Sequence, residues 1–468
     1  NTIDLGAGAD TVIANGVTGI VGSTGTDTIT ANGAWTAITT GTGSSVVTMN
    51  GNGVVTTNGR DTVIAKGALS LTADGPATTV TTGTGFAWFG GDGSATITGG
   101  TGGGYFDLTQ ITGGVITTAS GAADTILTGI AGATITSKGT DTLLLGSGAV
   151  TVKASGASIA INGGAGALTY SGTAKAVITG GAGAMTITQS GGNSLTVTTT
   201  TGNDKITTGN ATNTIALGSG TDTVIANGIT AITGSTGNDT ITANGAWTTI
   251  TTGTGTSTIA MNGNGVVTTN GHDTVKVSGG LTLTADGPAT TVTGGSGYMW
   301  FSGDGSATIT GGTGGGYFNV TKITGGAVTT ALGAADSILF GAAGGTANTQ
   351  GTDFVQAGAG ATTISALAGS TTVLGSTGKM TFIEGAATAT VTAGTGIESF
   401  TLTKGQAGGA LTIKDFVPGS DTIQLVGYQA ADVTTQIANG STRIILSDHS
   451  TITLTGFSNA NWHPTITA

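Results

Sequence analysis

The chain has 468 residues, of which 90 are Gly, only 4 are Pro and 7% are charged, so it is not an ordinary globular composition. The 37% hydrophobic content and a mean hydropathy of +0.26 exclude a disordered linker, because that much apolar surface is buried. A formal net charge of −11 excludes a nucleic-acid binder, which needs clustered Lys and Arg, and the absence of Cys excludes disulfides, thiolate metal sites and Cys nucleophiles.

From the N-terminus, short runs lie between glycines: "DTVIA" from Asp10, "TITA" from Thr28, "GVVTT" from Gly53 and "SLTVTTTT" from Ser194. Gly costs about 1 kcal/mol against Ala inside a helix, and Thr and Val score poorly there too. The same residues suit strands, and the expectation is an all-β fold. The opening "NTIDLGAGADTV" matches "NTIALGSGTDTV" at Asn213, which follows directly on "TGNDKITTGNAT". The chain is therefore expected to begin in mid-pattern, at a processed start. It opens without a charged-then-apolar signal peptide, and no apolar run is long enough to span a bilayer.

Two levels of repeat organise the rest. Residues 1–158 pair with 213–370, and 84 of the first 110 positions are identical between the blocks. Landmarks keep register: Trp35 with Trp247, Trp88 with Trp300, Asp92 with Asp304. The expected domains are block 1 at 1–158, connecting coils at 159–212, block 2 at 213–370 and a C-terminal region at 371–468. Beneath the long repeat lies a period of 17: Asp10, Asp27 and, two periods on, Asp61, with Ser44 at the missing step. The second block repeats it at Asp222, Asp239 and Asp273, and Asp204 precedes Asp222 by 18. A second turn, "ANG", falls between aspartates at Asn15 and Asn32.

One period thus reads turn, strand, turn, strand. Such a coil cannot bury an apolar face alone, so the coils must stack into a parallel β-solenoid of 17–18-residue coils, each rising about 4.8 Å. Alternation points Val12, Ile29, Ala14 and Ala31 inward and Thr11 and Thr28 outward. Gly is expected to supply the positive φ of tight turns.

The glycine-aspartate turns resemble the calcium-binding nonapeptide of RTX proteins. "LGAGADTVI" at Leu5 matches at Gly6, Gly8, Asp10 and Val12, "LGSGTDTVI" at Leu217 does likewise, and "GSTGNDTIT" matches at Gly237, Asp239 and Ile241. Leu, Ser or Thr stands where the pattern has its first glycines, several coils lack the aspartate, and the other turn is "ANG". The resemblance implies Ca²⁺ held between stacked loops, here by Asp10, Asp27, Asp61, Asp204, Asp222, Asp239 and Asp273 with turn glycines Gly8, Gly25, Gly220 and Gly237. Asp10 would stack with Asp27, and Asp222 with Asp239. The competing reading is that each aspartate caps its own turn through backbone N–H bonds.

A second resemblance lies in "ALTIKDFVPGSDTIQLVGY", at Ile413, Asp415, Phe416, Pro418, Gly419, Asp421, Ile423, Leu425 and Gly427. It is similar to the C-terminal region of RTX-type proteins that use type I secretion. The resemblance implies export without an N-terminal signal, to the cell surface or beyond, and a β cap closing the roll.

Catalytic readings lack parts. No H-E-x-x-H occurs, and His272, the only His before residue 449, is replaced by Arg60 in the duplicate. The expectation is a noncatalytic structural solenoid of the bacterial exterior, self-assembling head to tail into fibres, matrix or a surface layer. The alternative is an adhesin for cell-surface polysaccharide using "GFAWFGGDGS" and "GYMWFSGDGS", where Trp88 and Trp300 either form contact patches or fill a wider core. Because an aromatic triplet alternates faces, only one or two of its rings reach solvent. A third reading, ice binding by Thr arrays, is suggested by "TTGTGT" but opposed by its irregularity.

Overall fold

Thr11–Ala14 lies parallel to Thr28–Ala31, which lies parallel to Val46–Met49, and this pattern of one strand per coil in each of two sheets builds the molecule. The computed structural model describes every residue except Val17, Ala460 and Ala468. The chain falls into two compact units, Asn1–Ile232 and Thr233–Ala468, each a parallel β-solenoid.

In the first unit, one sheet contains Thr2–Asp4, Thr18–Val21, Trp35–Thr39 and their successors, and the other contains Thr11–Ala14, Thr28–Ala31, Val46–Met49 and theirs. Register shows coils of 17 residues at Thr11↔Thr28, 16 at Val46↔Thr62 and 20 at Gly104↔Asp124. The core is two facing columns. In one sheet Ile29, Val47, Val63, Val80, Ile97 and Ile116 follow one another in register, all buried. In the other, Ile20, Ile38, Val55, Leu71, Phe89 and Phe106 do the same. β-Branched chains are stiff at χ1 and stack on a pleated surface, which is why Val and Ile dominate these columns.

Tyr170 interrupts the Val/Ile column and is buried with its hydroxyl donating to Gln189 Oε1 at 3.2 Å. Gln189 in turn donates to Ala174 O at 2.7 Å, so the polar atoms are satisfied inside the coil.

The longer coils hold the bulkier core. Gly104 and Gly316 face Phe106 and Phe318, and a Cβ at Gly104 would stand 2.6 Å from the Phe106 ring. In the aromatic triplet, Phe89 is buried while Phe86 and Trp88 face outward, as strand alternation requires.

The second unit repeats this construction from Thr240–Ala243 and Trp247–Thr251 onward. Its end departs from parallel pairing: Val433–Ala438 and Ser441–Leu446 form an antiparallel hairpin, and Ser441–Leu446 also pairs antiparallel with Thr451–Thr455. The hairpin turns at Asn439 and Gly440, both with positive φ, the residue pair a two-residue turn favours. Thr451–Thr455 runs parallel to Ala410–Lys414, so the hairpin extends the sheet sideways from the last coils.

Most turn glycines are there for a different reason from the one expected. Positive φ occurs at some, Gly103 and Gly315 among them. At Gly25, by contrast, a Cβ would overlap the Gly8 carbonyl of the preceding coil, and at Gly43 it would overlap that of Gly25. The coils stack so closely at these corners that only a hydrogen fits, and this steric column accounts for much of the glycine content.

Candidate functional site: aspartate columns and an aromatic face

The aspartates point inward. Asp27, Asp61, Asp204, Asp222, Asp239 and Asp273 are buried, and Asp10 is half-buried. In "DTVIA" the aspartate has the same parity as the inward Val12 and Ala14, so strand alternation alone carries this direction.

At Asp27, Asp61, Asp204, Asp222 and Asp273 the carboxylate reaches back to the coil before it. Asp27 Oδ1 accepts the Asp10 N–H at 3.2 Å, Asp204 Oδ1 accepts the Met185 N–H at 2.6 Å, and Asp222 Oδ1 accepts the Asp204 N–H at 2.8 Å. Asp61 is fully engaged: Oδ1 accepts the Ser45 N–H at 2.8 Å, and Oδ2 accepts Thr40 Oγ1–H at 2.7 Å and the Gly59 N–H at 3.0 Å. Asp273 repeats this with Ser257, Thr252 and Gly271. The residue at the missing step is Ser45 and not Ser44, because the coil from Asp27 has 18 residues.

The named glycines frame these turns. A Cβ on Gly25 would overlap the Gly8 carbonyl, one on Gly220 that of Gly202, and one on Gly255 that of Gly237.

Not every aspartate enters the same sheet. Asp124 and Asp141 lie in strands of the sheet that contains Trp35–Thr39, across the core from Asp27 and Asp61. Asp141 Oδ2 accepts Ser137 Oγ–H at 2.6 Å and Thr118 Oγ1–H at 2.8 Å, while its Oδ1 accepts the Asp124 N–H at 3.2 Å. Burial, and then the charge of Asp141, pushes Asp124 up to about 7, and burial with the charge of Asp353 does the same to Asp336 in the second unit. Glu384, buried with neither oxygen partnered, is pushed up to about 8 by burial alone.

As to a cation, Asp10 Oδ2 and Asp27 Oδ2 are buried without a hydrogen-bond partner, which leaves two carboxylate oxygens free in adjacent coils. Ca²⁺ takes six to eight oxygens. Among the described residues no group of three or more His, Asp or Glu gathers at one point, so carbonyls and water would have to complete the shell.

The other recurrent turn carries a ladder the sequence reading missed. Asn32 Nδ2 donates to Asn15 Oδ1 at 2.8 Å and Asn50 Nδ2 to Asn32 Oδ1 at 2.7 Å, so one amide column runs up the outside. In the second unit Asn262 donates to Asn244 at 2.7 Å.

The C-terminal segment single-mindedly builds one corner. Ile413, Ile423 and Leu425 are buried on two strands, and Asp421 joins them by accepting the Val417 N–H at 2.8 Å and the Glu398 N–H at 3.3 Å. Gly419 and Gly427 have positive φ, as does Asp415, and Phe416 packs edge-on against Phe457 and Trp462.

Trp88 and Trp300 are about half exposed, at 56% and 50%, on the outer face of their sheet. Each is tilted onto the tyrosine of the next coil: Trp88 on Tyr105 at 4.9 Å and Trp300 on Tyr317 at 4.7 Å between ring centroids.

No family model, curated protein or solved structure matches the chain. Among the described residues no helix is long and apolar enough to cross a membrane.

Proposed function

We propose that the protein is a noncatalytic structural β-solenoid of the bacterial cell exterior, exported by a type I route and self-assembling head to tail into fibres or a surface layer. The observation that carries the reading is where the charge lies: 13 of the 23 carboxylates are buried. The outer faces are mostly Thr, Asn and Gly, with scattered Lys and with exposed Ile13, Val46, Ile64 and Val177 among them. Surface charge is what keeps proteins apart, and a charge-poor β surface associates readily. Secretion rests on the resemblance of the segment from Ile413 to Gly427.

Calcium belongs to the proposal at Asp10 and Asp27, whose free Oδ2 atoms would hold it, and not at Asp61 or Asp273, whose oxygens are already engaged. Sedimentation velocity over a concentration series tests the assembly: species that grow with concentration support it, and one monomer boundary throughout contradicts it.

A further inference from the structure

In the second unit the outward side chains of one sheet border a shallow, open groove of about 400 Å³. Trp247 stands at one end, and Tyr298 and Trp300 at the other. Register places them three coils apart: Trp247↔Asn264, then the coil of Leu281, then Met299 and Trp300. At ~4.8 Å per coil that is roughly 14 Å. Between them the floor is low, made by Gly280, Thr282 and Asn264, and the Asn264 amide is fixed because its Oδ1 accepts the Gly280 N–H at 2.7 Å. No charged side chain lines the groove.

The first unit places equivalent residues in the same register, with Ala68 and Ser70 where the second unit has Gly280 and Thr282. Trp35 pairs with Asn52, Asn52 Oδ1 accepts the Ala68 N–H at 2.8 Å, and Ser70 pairs with Trp88. Phe86 replaces Tyr298 as the second exposed ring. Four of the five Trp in the chain are in these two arrangements, each about half exposed.

We propose that this face binds a neutral polysaccharide, with its pyranose rings stacked on Trp247 and Trp300 and, in the first unit, on Trp35 and Trp88. The chemistry is specific to that class. Apolar ring faces receive the C–H faces of sugars, fixed amide and hydroxyl groups between them meet sugar hydroxyls, and an uncharged lining neither attracts nor repays a charged polymer. Stacking of each distal Trp on Tyr105 or Tyr317 pre-orients the platform, so little side-chain freedom is lost on binding. Three coils of separation leave room for a short run of sugars along the solenoid axis. The inference stands apart from self-assembly and survives if that fails.

The test is titration of the full-length protein with cellohexaose and chitohexaose, followed by calorimetry and tryptophan fluorescence, with polygalacturonate as the charged control. Saturable binding of a neutral hexasaccharide at two sites per chain is expected. Trp300→Ala should halve the stoichiometry, and Trp88→Ala combined with Trp300→Ala should weaken binding at both sites by about tenfold or more, the scale on which an aromatic anchor acts. Unchanged melting temperatures would show that the variants fold. Absence of binding to every neutral glycan, binding unaffected by the double variant, or variants that alter only self-association in the centrifuge would each overturn the proposal.

Discussion

Asp353 Oδ1 accepts the N–H of Asp336, one coil earlier, at 3.2 Å, while its Oδ2 accepts Thr330 Oγ1–H at 2.8 Å and the N–H groups of Gly351 and Gln350 at 2.9 and 3.1 Å. One buried side chain thus ties three segments together. Asp353→Asn would turn an NH₂ toward one of these donor sets and leave it unsatisfied, at a cost of about 2–3 kcal/mol. In a stacked array the damage stays near its site. Hydrogen exchange at Asp336 and Gly351 should therefore accelerate strongly while exchange in the first unit is unchanged; uniform protection in the variant would contradict the stapling role.

The raised carboxyls predict an inverted pH dependence. Glu384 moves from 4.5 to about 8, Asp124 and Asp336 from 3.8 to about 7, and Glu398, through burial and then Asp421, from 4.5 to about 7. In this range the folded chain holds protons that the unfolded chain has released, so stability falls as pH rises. Their contribution is complete below about pH 4 and is lost as pH climbs through 7 to 8. Thermal melts from pH 5 to 9 should show a falling midpoint, and Glu384→Gln should flatten the most alkaline part of the curve. A midpoint that rises over the same range would contradict it.

Glycine positions separate into two classes by the space above them. Gly43→Ala and Gly255→Ala press a methyl into the carbonyl of the coil below and should cost about 3 kcal/mol each. Gly6→Ala and Gly192→Ala meet nothing within 4 Å and have no positive φ, so they should be neutral or slightly stabilising. Denaturant midpoints of the four variants check the contrast directly.

If Asp10 and Asp27 hold calcium through their free Oδ2 atoms, Ca²⁺ added to chelator-treated protein should raise its melting temperature, and Asp27→Asn should remove the increment. Asp61→Asn should lower stability at every calcium concentration by the same amount, since its oxygens are occupied by donors. A calcium increment that persists in Asp27→Asn would move the metal elsewhere.

The period, the strands and their inward faces were legible because each depends on spacing within one coil: Asp10 to Asp27 sets the coil length, and the Val12–Ala14 parity sets the face. The inward direction of the aspartates follows from the same parity, which places Asp10 on the face of Val12 and Ala14. What a single coil cannot reveal is what lies above it. The collision that requires Gly25, the Asn15–Asn32 ladder, the groove between Trp247 and Trp300 and the matching placement of Trp35 and Trp88 all depend on register between coils of 16, 17, 18 and 20 residues. The slip from Ser44 to Ser45 shows how one extra residue defeats a fixed period.

Negative-stain electron microscopy of the purified full-length protein, once with calcium and once with EGTA, bears most directly on the structural role. The account predicts long unbranched filaments, shortened or lost in EGTA if metal at Asp10 and Asp27 supports the contact. Single short particles in both conditions, at concentrations up to the solubility limit, would contradict it.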